Sequence, residues 1–242
     1  MFSMEVIIVR SENSNILKGR NFKVKVKTAR GRKISSTKWL ERQLNDPYVV
    51  QAKKDGYRSR SAFKLIQLNQ KFDLLKPGNR VLDLGAAPGG WCQVAAKATN
   101  SDGKNLNLPV GFVLGIDLKV LASIEGVMFE CLNFLDNNAE SKIKQWIKGP
   151  VDVVLSDMAP GATGHKKTDH LRIVHLCEQA AFFSFDILCP GGAFVSKVLE
   201  GGADSELQKV LKKNFSKVVN AKPTASRADS SEKFVVARGF RG

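Results

Sequence analysis

The feature that most constrains the fold is an apolar run that passes directly into a glycine-rich loop. It spans residues 81–91, with the sequence VLDLGAAPGGW. Val81, Leu82 and Leu84 are typical of a short strand buried inside a parallel sheet. The glycines permit a sharp turn and a close backbone approach to a ligand, and residues 93–98 are predicted to be helical. Such a unit is typical of nucleotide-binding folds. However, the loop lacks GxGxxG spacing, so an ordinary glycine-rich turn stays open.

The rest of the chain alternates apolar strand patterns with amphipathic helix patterns. Strands are predicted at residues 80–84, 111–116, 127–132, 151–156, 193–198, 218–221 and 233–237, and helices at residues 36–44, 48–54, 62–70, 141–147, 168–188 and 204–214. Alternating βα units predict an α/β fold with a doubly wound, mostly parallel, seven-stranded Rossmann-like sheet. No helix separates the last two strands, so the last strand is expected to be antiparallel.

The positive charge is concentrated at the beginning of the chain. The net charge is +15, and residues 1–80 contain 19 Lys and Arg against 6 Asp and Glu, whereas residues 81–242 contain 19 against 17. A nearly neutral body with a basic first third indicates a polyanion-binding surface, and a solubilising tail is the alternative. The candidate phosphate contacts are the cations of residues 18–33, together with Arg58 and Arg60.

Composition also argues against several classes of protein. No apolar run approaches the ~20 residues that a membrane span requires, so no membrane association is expected. The first residues do not resemble a signal peptide, and residues 1–36 match a transit peptide only weakly. The four cysteines form no CxxC pair, which predicts free thiols in a reducing compartment and no metal site. A bacterial cytoplasm is predicted, with a mitochondrial matrix as the alternative.

Four polar side chains are expected at the carboxyl edge of the sheet, where ligands of doubly wound folds bind, and three of them, Asp157, Lys197 and Glu232, are expected to converge. Asp117 follows the second strand, Asp157 follows the fourth, and Lys197 lies near the end of the fifth. Glu232 precedes the last strand and reaches the same edge if that strand is antiparallel. Taken singly, each has an ordinary structural explanation. Asp117 has the usual position of a ribose-binding carboxylate, which leaves a dinucleotide and S-adenosylmethionine (SAM) both open.

Four segments in this order resemble one family, the FtsJ/RrmJ-type ribosomal RNA 2′-O-methyltransferases and their RlmE-like members. They are GYRSRSAFKL at residues 56–65, DLGAAPGGW at 83–91, SDMAP at 156–160 and VSKV at 195–198. The resemblance covers residues 36–240. It implies a SAM-dependent methyltransferase domain at residues 36–242, with a helical, basic, RNA-binding part at residues 36–79, and leaves residues 1–35 as a flexible basic arm.

The resemblance also implies the site residues. Catalytic positions fall on Lys64, Asp157, Lys197 and Glu232. Lys197 is the base or the stabiliser of the oxyanion, Asp157 orients it, and the other two residues position the groups. The SAM contacts implied by the resemblance are Gly89, Trp91, Asp117, Asn133 and Asp157.

One cofactor contact departs from the family pattern. The family usually carries an aspartate after the third strand, whereas this chain has Asn133, which can accept a hydrogen bond but has no charge. Asp136 is a weaker substitute for that contact.

The implied reaction is methyl transfer to a ribose 2′-hydroxyl, most simply of a uridine in large-subunit ribosomal RNA. The enzyme is expected to act as a monomer, with ribosomal RNA in the large subunit as its partner. A non-catalytic RNA-binding assembly factor on the same fold is the alternative.

Overall fold

The computed structural model describes residues 26, 31, 33–161, 163–199 and 205–242. Almost all of the predicted arm, residues 1–35, therefore lies outside the described residues. The chain divides into two compact units, residues 1–51 and residues 52–242.

The first unit contains α1 (Ile34–Leu44) and the first residues of α2 (Pro47–Lys54). The second helix begins where the sequence predicts a break, because Asp46 accepts a hydrogen bond from the backbone N–H of Tyr48 at 3.0 Å. Pro47 at the first helical position lacks an N–H that would have no intrahelical partner in any case.

The second unit is a seven-stranded sheet flanked by helices. Its elements are α3 (Ala62–Phe72), β1 (Arg80–Leu84), α4 (Gly90–Thr99), β2 (Phe112–Asp117), β3 (Val127–Cys131), α5 (Ala139–Ile147), β4 (Val151–Ser156), α6 (Lys166–Ile187), β5 (Leu188–Leu199), α7 (Ser205–Asn214), β6 (Phe215–Ala221) and β7 (Glu232–Phe240). The strand order is β3-β2-β1-β4-β5-β7-β6. The first five strands in this order are parallel to one another, and β7 pairs antiparallel with both β5 and β6. The predicted fold, including the antiparallel last strand, is confirmed.

Apolar residues that alternate along the central strands face two separate cores. Leu82 and Leu84 of β1 belong to the core covered by α5, α6 and α7, and Val81 belongs to the core covered by α3 and α4. Because both faces of β1 are covered, its sequence is apolar almost throughout. Polar side chains that reach a ligand must therefore lie at or near the strand ends.

Three strands are longer than their patterns predict, and one of them is β7, which spans Glu232–Phe240. β5 begins at Leu188, directly after α6, so the strand includes the Pro-Gly-Gly turn. β6 begins at Phe215, a buried ring 5.3 Å from the ring of Phe240 at the end of β7. Pairing with a neighbouring strand extends all three elements beyond what local patterns indicate.

No helix among the described residues is long and apolar enough to cross a membrane, and no cluster of three or more His, Cys, Asp or Glu among them could hold a metal ion. The four cysteines are free thiols.

Candidate active site

The ammonium group of Lys197 lies between two carboxylates at the carboxyl edge of the sheet. Its Nζ is 2.6 Å from Oδ1 of Asp157, donates to the backbone carbonyl of Asp157 at 2.9 Å, and is 3.9 Å from Oε2 of Glu232. The topology explains this meeting, since β4 and β5 are parallel neighbours and β7 runs antiparallel beside β5. The sequence-based expectation that these three residues converge is met by the geometry.

Lys64 joins the same group from α3. Its Nζ is 2.7 Å from Oε1 of Glu232 and 2.8 Å from Oε2, so Glu232 bridges the two lysines. The side chains of Lys64, Lys197 and Glu232 are only 11%, 11% and 14% exposed. Charges removed from water to this extent are costly unless they are paired and hydrogen-bonded, as they are here.

Ser226 fixes the orientation of Glu232. Its hydroxyl donates to Oε1 of Glu232 at 2.9 Å. Burial by itself would raise the pKa of the Glu232 carboxyl. However, the charges of Lys64 and Lys197 and the hydrogen bonds from Lys64 and Ser226 outweigh burial, and the pKa lies below its ordinary value. Sequence reasoning missed Ser226, because a serine in a polar loop carries no signal of its partner.

A side chain at Gly85 or at Gly89 of the glycine loop would clash with neighbouring atoms. Gly85 has φ +81°, and a Cβ there would lie 2.8 Å from the backbone N and Cα of Met158. Gly89 has φ +108°, and a Cβ there would lie 2.6 Å from Cδ1 of Ile124. Both conformations favour glycine, so β1, β4 and the loop after β2 can approach one another closely.

Asp117 ties the end of β2 to this loop. Its Oδ2 accepts the backbone N–H of Ala87 at 2.9 Å, and its Oδ1 accepts that of Lys119 at 2.8 Å. A carboxylate has about four lone-pair sites, so each oxygen can still accept a hydroxyl. The geometry is compatible with the predicted ribose contact.

Trp91 can reach a cofactor only through its backbone. Its side chain is 2% exposed, its indole N–H donates to the carbonyl of Ser61 at 2.9 Å, and its ring packs 5.5 Å from that of Phe234. The residue lies in the first turn of α4, where backbone N–H groups have no intrahelical acceptor. The backbone contact therefore stays a prediction, whereas the side chain is part of the core.

Asn133 is exposed and already engaged locally. Its Nδ2 donates to Asp136 at 2.8 Å, and its Oδ1 accepts the backbone N–H of Leu135 at 3.2 Å. The two alternatives for the third-strand contact are thus hydrogen-bonded to each other. Oδ1 of Asn133 and Oδ1 of Asp136 can each still accept a hydrogen bond from a ligand.

Asp83 is a buried carboxyl that the sequence does not single out. Its exposure is 0%, its Oδ2 accepts from the Cys92 thiol at 3.2 Å, and among the described residues Oδ1 has no hydrogen-bond partner. Burial raises its pKa to about 7, the thiol hydrogen bond opposes the shift, and the charges of Asp157 and Asp117 add to it. Ionisation of Asp83 therefore lowers the stability of the folded protein.

We expect Asp83→Asn to stabilise the protein above pH 7. A raised pKa means that the folded state binds a proton more tightly than the unfolded state. Ionisation therefore removes stability as the pH rises from 3.8 to about 7. This interval corresponds to at most about 4 kcal/mol. Urea unfolding of both proteins from pH 4 to 8 should give curves that converge in acid, and a constant difference would contradict the assignment.

The comparisons with known proteins agree with this geometry. Residues 57–240 match the sequence pattern of FtsJ-like methyltransferases. This chain belongs to the FtsJ-like methyltransferase family. The predicted family, and the prediction that the chain is an enzyme that transfers methyl groups, are therefore confirmed.

Several relatives of this FtsJ-like methyltransferase span nearly its whole length. A protein of Cereibacter sphaeroides named ribosomal RNA large subunit methyltransferase E is 62% identical over 223 residues, covering 92% of this chain and 91% of its own. A protein of the same name from Roseobacter denitrificans is 57% identical over 231 residues, 96% of each chain. A crystal structure from Plasmodium falciparum, named as a ribosomal RNA methyltransferase, is 31% identical with a TM-score of 0.66, and the match covers 77% of this chain and 100% of that one.

Proposed function

We propose that this FtsJ-like methyltransferase transfers a methyl group from SAM to the 2′-hydroxyl of a uridine in large-subunit ribosomal RNA. The observation that carries the proposal is the buried group of Lys64, Asp157, Lys197 and Glu232, which lies beside the glycine loop. Two relatives are named ribosomal RNA large subunit methyltransferase E, which supports large-subunit ribosomal RNA as the substrate. Because these relatives are bacterial, we place the enzyme in the cytoplasm, acting as a monomer on the large subunit.

The residues around the loop suit SAM. The glycine turn brings backbone close to a ligand, the first turn of α4 offers unpaired N–H groups, and Asp117 retains lone pairs for ribose hydroxyls. Asp157 follows β4 at the same edge, and Asn133 follows β3. When bound there, SAM supplies an electrophilic methyl group. These residues support a cofactor position beside the tetrad, the group formed by Lys64, Asp157, Lys197 and Glu232.

Lys197 handles the reacting hydroxyl in this proposal. Its ammonium is held by Asp157 and Glu232, so its position is fixed before the substrate arrives. It orients the 2′-oxygen and stabilises the negative charge that develops there as the hydroxyl proton passes to solvent water and the oxygen takes the methyl group. Lys64 and Ser226 hold Glu232 in place and thereby keep Lys197 aligned.

The alternative of a non-catalytic assembly factor is less compatible with the burial of the tetrad. Surface cations suffice to bind phosphates, and they function best in contact with solvent. Here two lysines are nearly removed from water and share one carboxylate. Clusters of strongly interacting ionisable groups in a cleft are typical of catalytic sites.

A methylation assay tests the function directly. Purified protein, labelled SAM and large subunits from cells that lack the enzyme should yield label on one uridine, mapped by resistance of the adjacent bond to alkali. RNA with 2′-deoxyuridine at the target should accept none. Methylation of the deoxy substrate, or RNA binding without transfer, would overturn the proposal.

Asp117 should contribute to SAM affinity. We expect Asp117→Ala to weaken SAM binding by ~1–3 kcal/mol, because the ribose hydroxyls lose their acceptor. Asp117→Asn keeps an oxygen for Ala87 and serves as the control for the loop itself. Calorimetry should show that SAM affinity falls from wild type to Asp117→Asn and again to Asp117→Ala. Equal SAM affinities would remove Asp117 from the site.

A further inference from the structure

The two arginines between α2 and α3 donate hydrogen bonds to the backbone of other loops. We define residues 56–61, with the sequence GYRSRS, as the arginine strap. Arg58 donates from Nη1 to the carbonyl of Ala122 at 2.6 Å and from Nη2 to that of Ser123 at 2.6 Å. A planar guanidinium fork that engages two successive carbonyls fixes the geometry of both partners.

The loop held in this way borders the cofactor position. Residues 118–126 connect Asp117 to β3 without a helix. The side chain of Ile124 fills the space above Gly89, and Cδ of Arg58 would lie 3.2 Å from a Cβ at that glycine. Arg58, this loop and the glycine turn are therefore packed directly against one another.

Arg58 is itself anchored to α4. Its backbone N–H donates to Oε1 of Gln93 at 2.8 Å, and Nε2 of Gln93 donates to the carbonyl of Gly56 at 2.9 Å. Gln93 lies one turn after the glycine loop, and its own N–H donates to the carbonyl of Gly89. A single amide side chain thus connects the arginine strap to the start of the helix.

Arg60 holds the loop that carries Ala225 and Ser226. Its Nη2 donates to the backbone carbonyl of Ala225, and the backbone N–H of Ala225 donates to Oε1 of Gln67 at 2.8 Å. The next residue is Ser226, whose hydroxyl orients Glu232. Arg60 and Gln67 therefore fix the loop that positions the tetrad.

We infer that the arginine strap is a two-sided positioning element. Arg58 holds the loop that borders the cofactor position, and Arg60 holds the loop from which Ser226 orients Glu232. The inference rests on the proposed function, because it assigns SAM to the Arg58 side. It is an alternative to the sequence-based hypothesis that both arginines bind phosphates. The same six residues lead into α3 and Lys64, so they connect three parts of the site.

Kinetics should separate the two arginines. For Arg58→Ala we expect the Kd for SAM to rise about fivefold, with kcat at saturating SAM nearly unchanged. For Arg60→Ala we expect kcat to fall about tenfold, with the Kd for SAM nearly unchanged. Gln67→Ala, which removes the other bond to Ala225, should repeat the Arg60 result. Calorimetry with SAM and single-turnover methylation provide the two readouts.

Three controls make the assignment specific. Lys97→Ala removes one exposed positive charge from α4 and should change neither parameter. Gln93→Ala should weaken SAM binding as Arg58→Ala does, and the double variant should be less than additive. The dependence of RNA affinity on salt should be unchanged for both arginine variants, whereas a lost phosphate contact lowers the slope by about 1.

The outcomes distinguish this inference from the proposed function. If wild-type protein binds no SAM, the proposed function fails. If wild type binds SAM but Arg58→Ala and Arg60→Ala change the same parameter, or only the salt slope, the two-sided assignment fails and the phosphate hypothesis returns.

Discussion

Lys197→Ala is expected to lower methyl transfer by about 10²-fold or more, the usual scale of lost acid–base or charge-stabilising groups. The ammonium is the group that Asp157 and Glu232 hold in place at the strand ends. Lys197 is not itself a predicted cofactor contact, and of the predicted contacts it bonds only to Asp157, so SAM affinity and RNA affinity should largely persist. Lys197→Arg should fail nearly as severely, because the larger planar guanidinium cannot place its charge where the compact ammonium lies between Asp157 and Glu232.

The measurement is single-turnover transfer at saturating SAM and RNA. Lys144→Ala is a matched control, since that lysine also pairs with a carboxylate, Asp186 at 2.9 Å, but both side chains are about half exposed. It should keep the wild-type rate. Near-normal transfer by Lys197→Ala would force us to abandon the proposed role of this lysine.

Glu232→Ala should be the most damaging of these substitutions for stability, and it should lower activity as well. Its carboxylate is shared by Lys64 and Lys197, and all three side chains are largely buried. Removing it leaves two desolvated cations without their common partner, which costs about 3 kcal/mol on the scale of broken buried ion pairs. Methyl transfer should fall with it, because Lys197 then loses one of its two carboxylates.

The pH dependence gives a second readout of the same residue. The pKa of Glu232 is lower in the folded protein than its ordinary value of 4.5. A lowered carboxyl pKa contributes stability above the unfolded-state value, and this contribution is lost as the pH falls through the folded-state value. Urea unfolding from pH 7 to 3 should therefore show the difference between wild type and Glu232→Ala shrinking only below about pH 4.5.

An exposed carboxylate provides the comparison. Glu206 pairs with Lys209 at 2.7 Å on α7, with side chains that are 70% and 69% exposed. Glu206→Ala should change stability little at any pH, as is usual for exposed pairs. If Glu232→Ala were no more destabilised than this variant, the carboxylate would not be the link between the lysines.

Much of the architecture follows from local patterns in the sequence. Apolar runs bounded by turns predict each strand, and the glycine loop after β1 is correctly placed before α4. The antiparallel last strand follows from the absence of a helix before it, and this brings Glu232 to the same edge as Asp157 and Lys197. Topology alone therefore predicts that these three residues meet.

The role of each individual polar side chain is less accessible to sequence reasoning. Arg58 and Arg60 belong to a basic region, which favours phosphate binding, yet both donate to backbone carbonyls of distant loops. Trp91 follows the glycine loop, yet its indole ring is buried against Phe234. Nothing local distinguishes a cation that faces solvent from one that reaches a carbonyl far along the chain.

By itself the sequence determined the family and the order of strands and helices, and it supplied the four charged residues as candidates for the site, because periodicity and short motifs are local properties. Only the tertiary structure decided how those charges pair. Lys64 and Glu232 are separated by 168 positions, and their contact exists because α3 packs beside the start of β7. Ser226, Gln93 and the two arginines acquire their roles in the same way, since hydrogen bonds across folded loops depend on distances that no local pattern encodes.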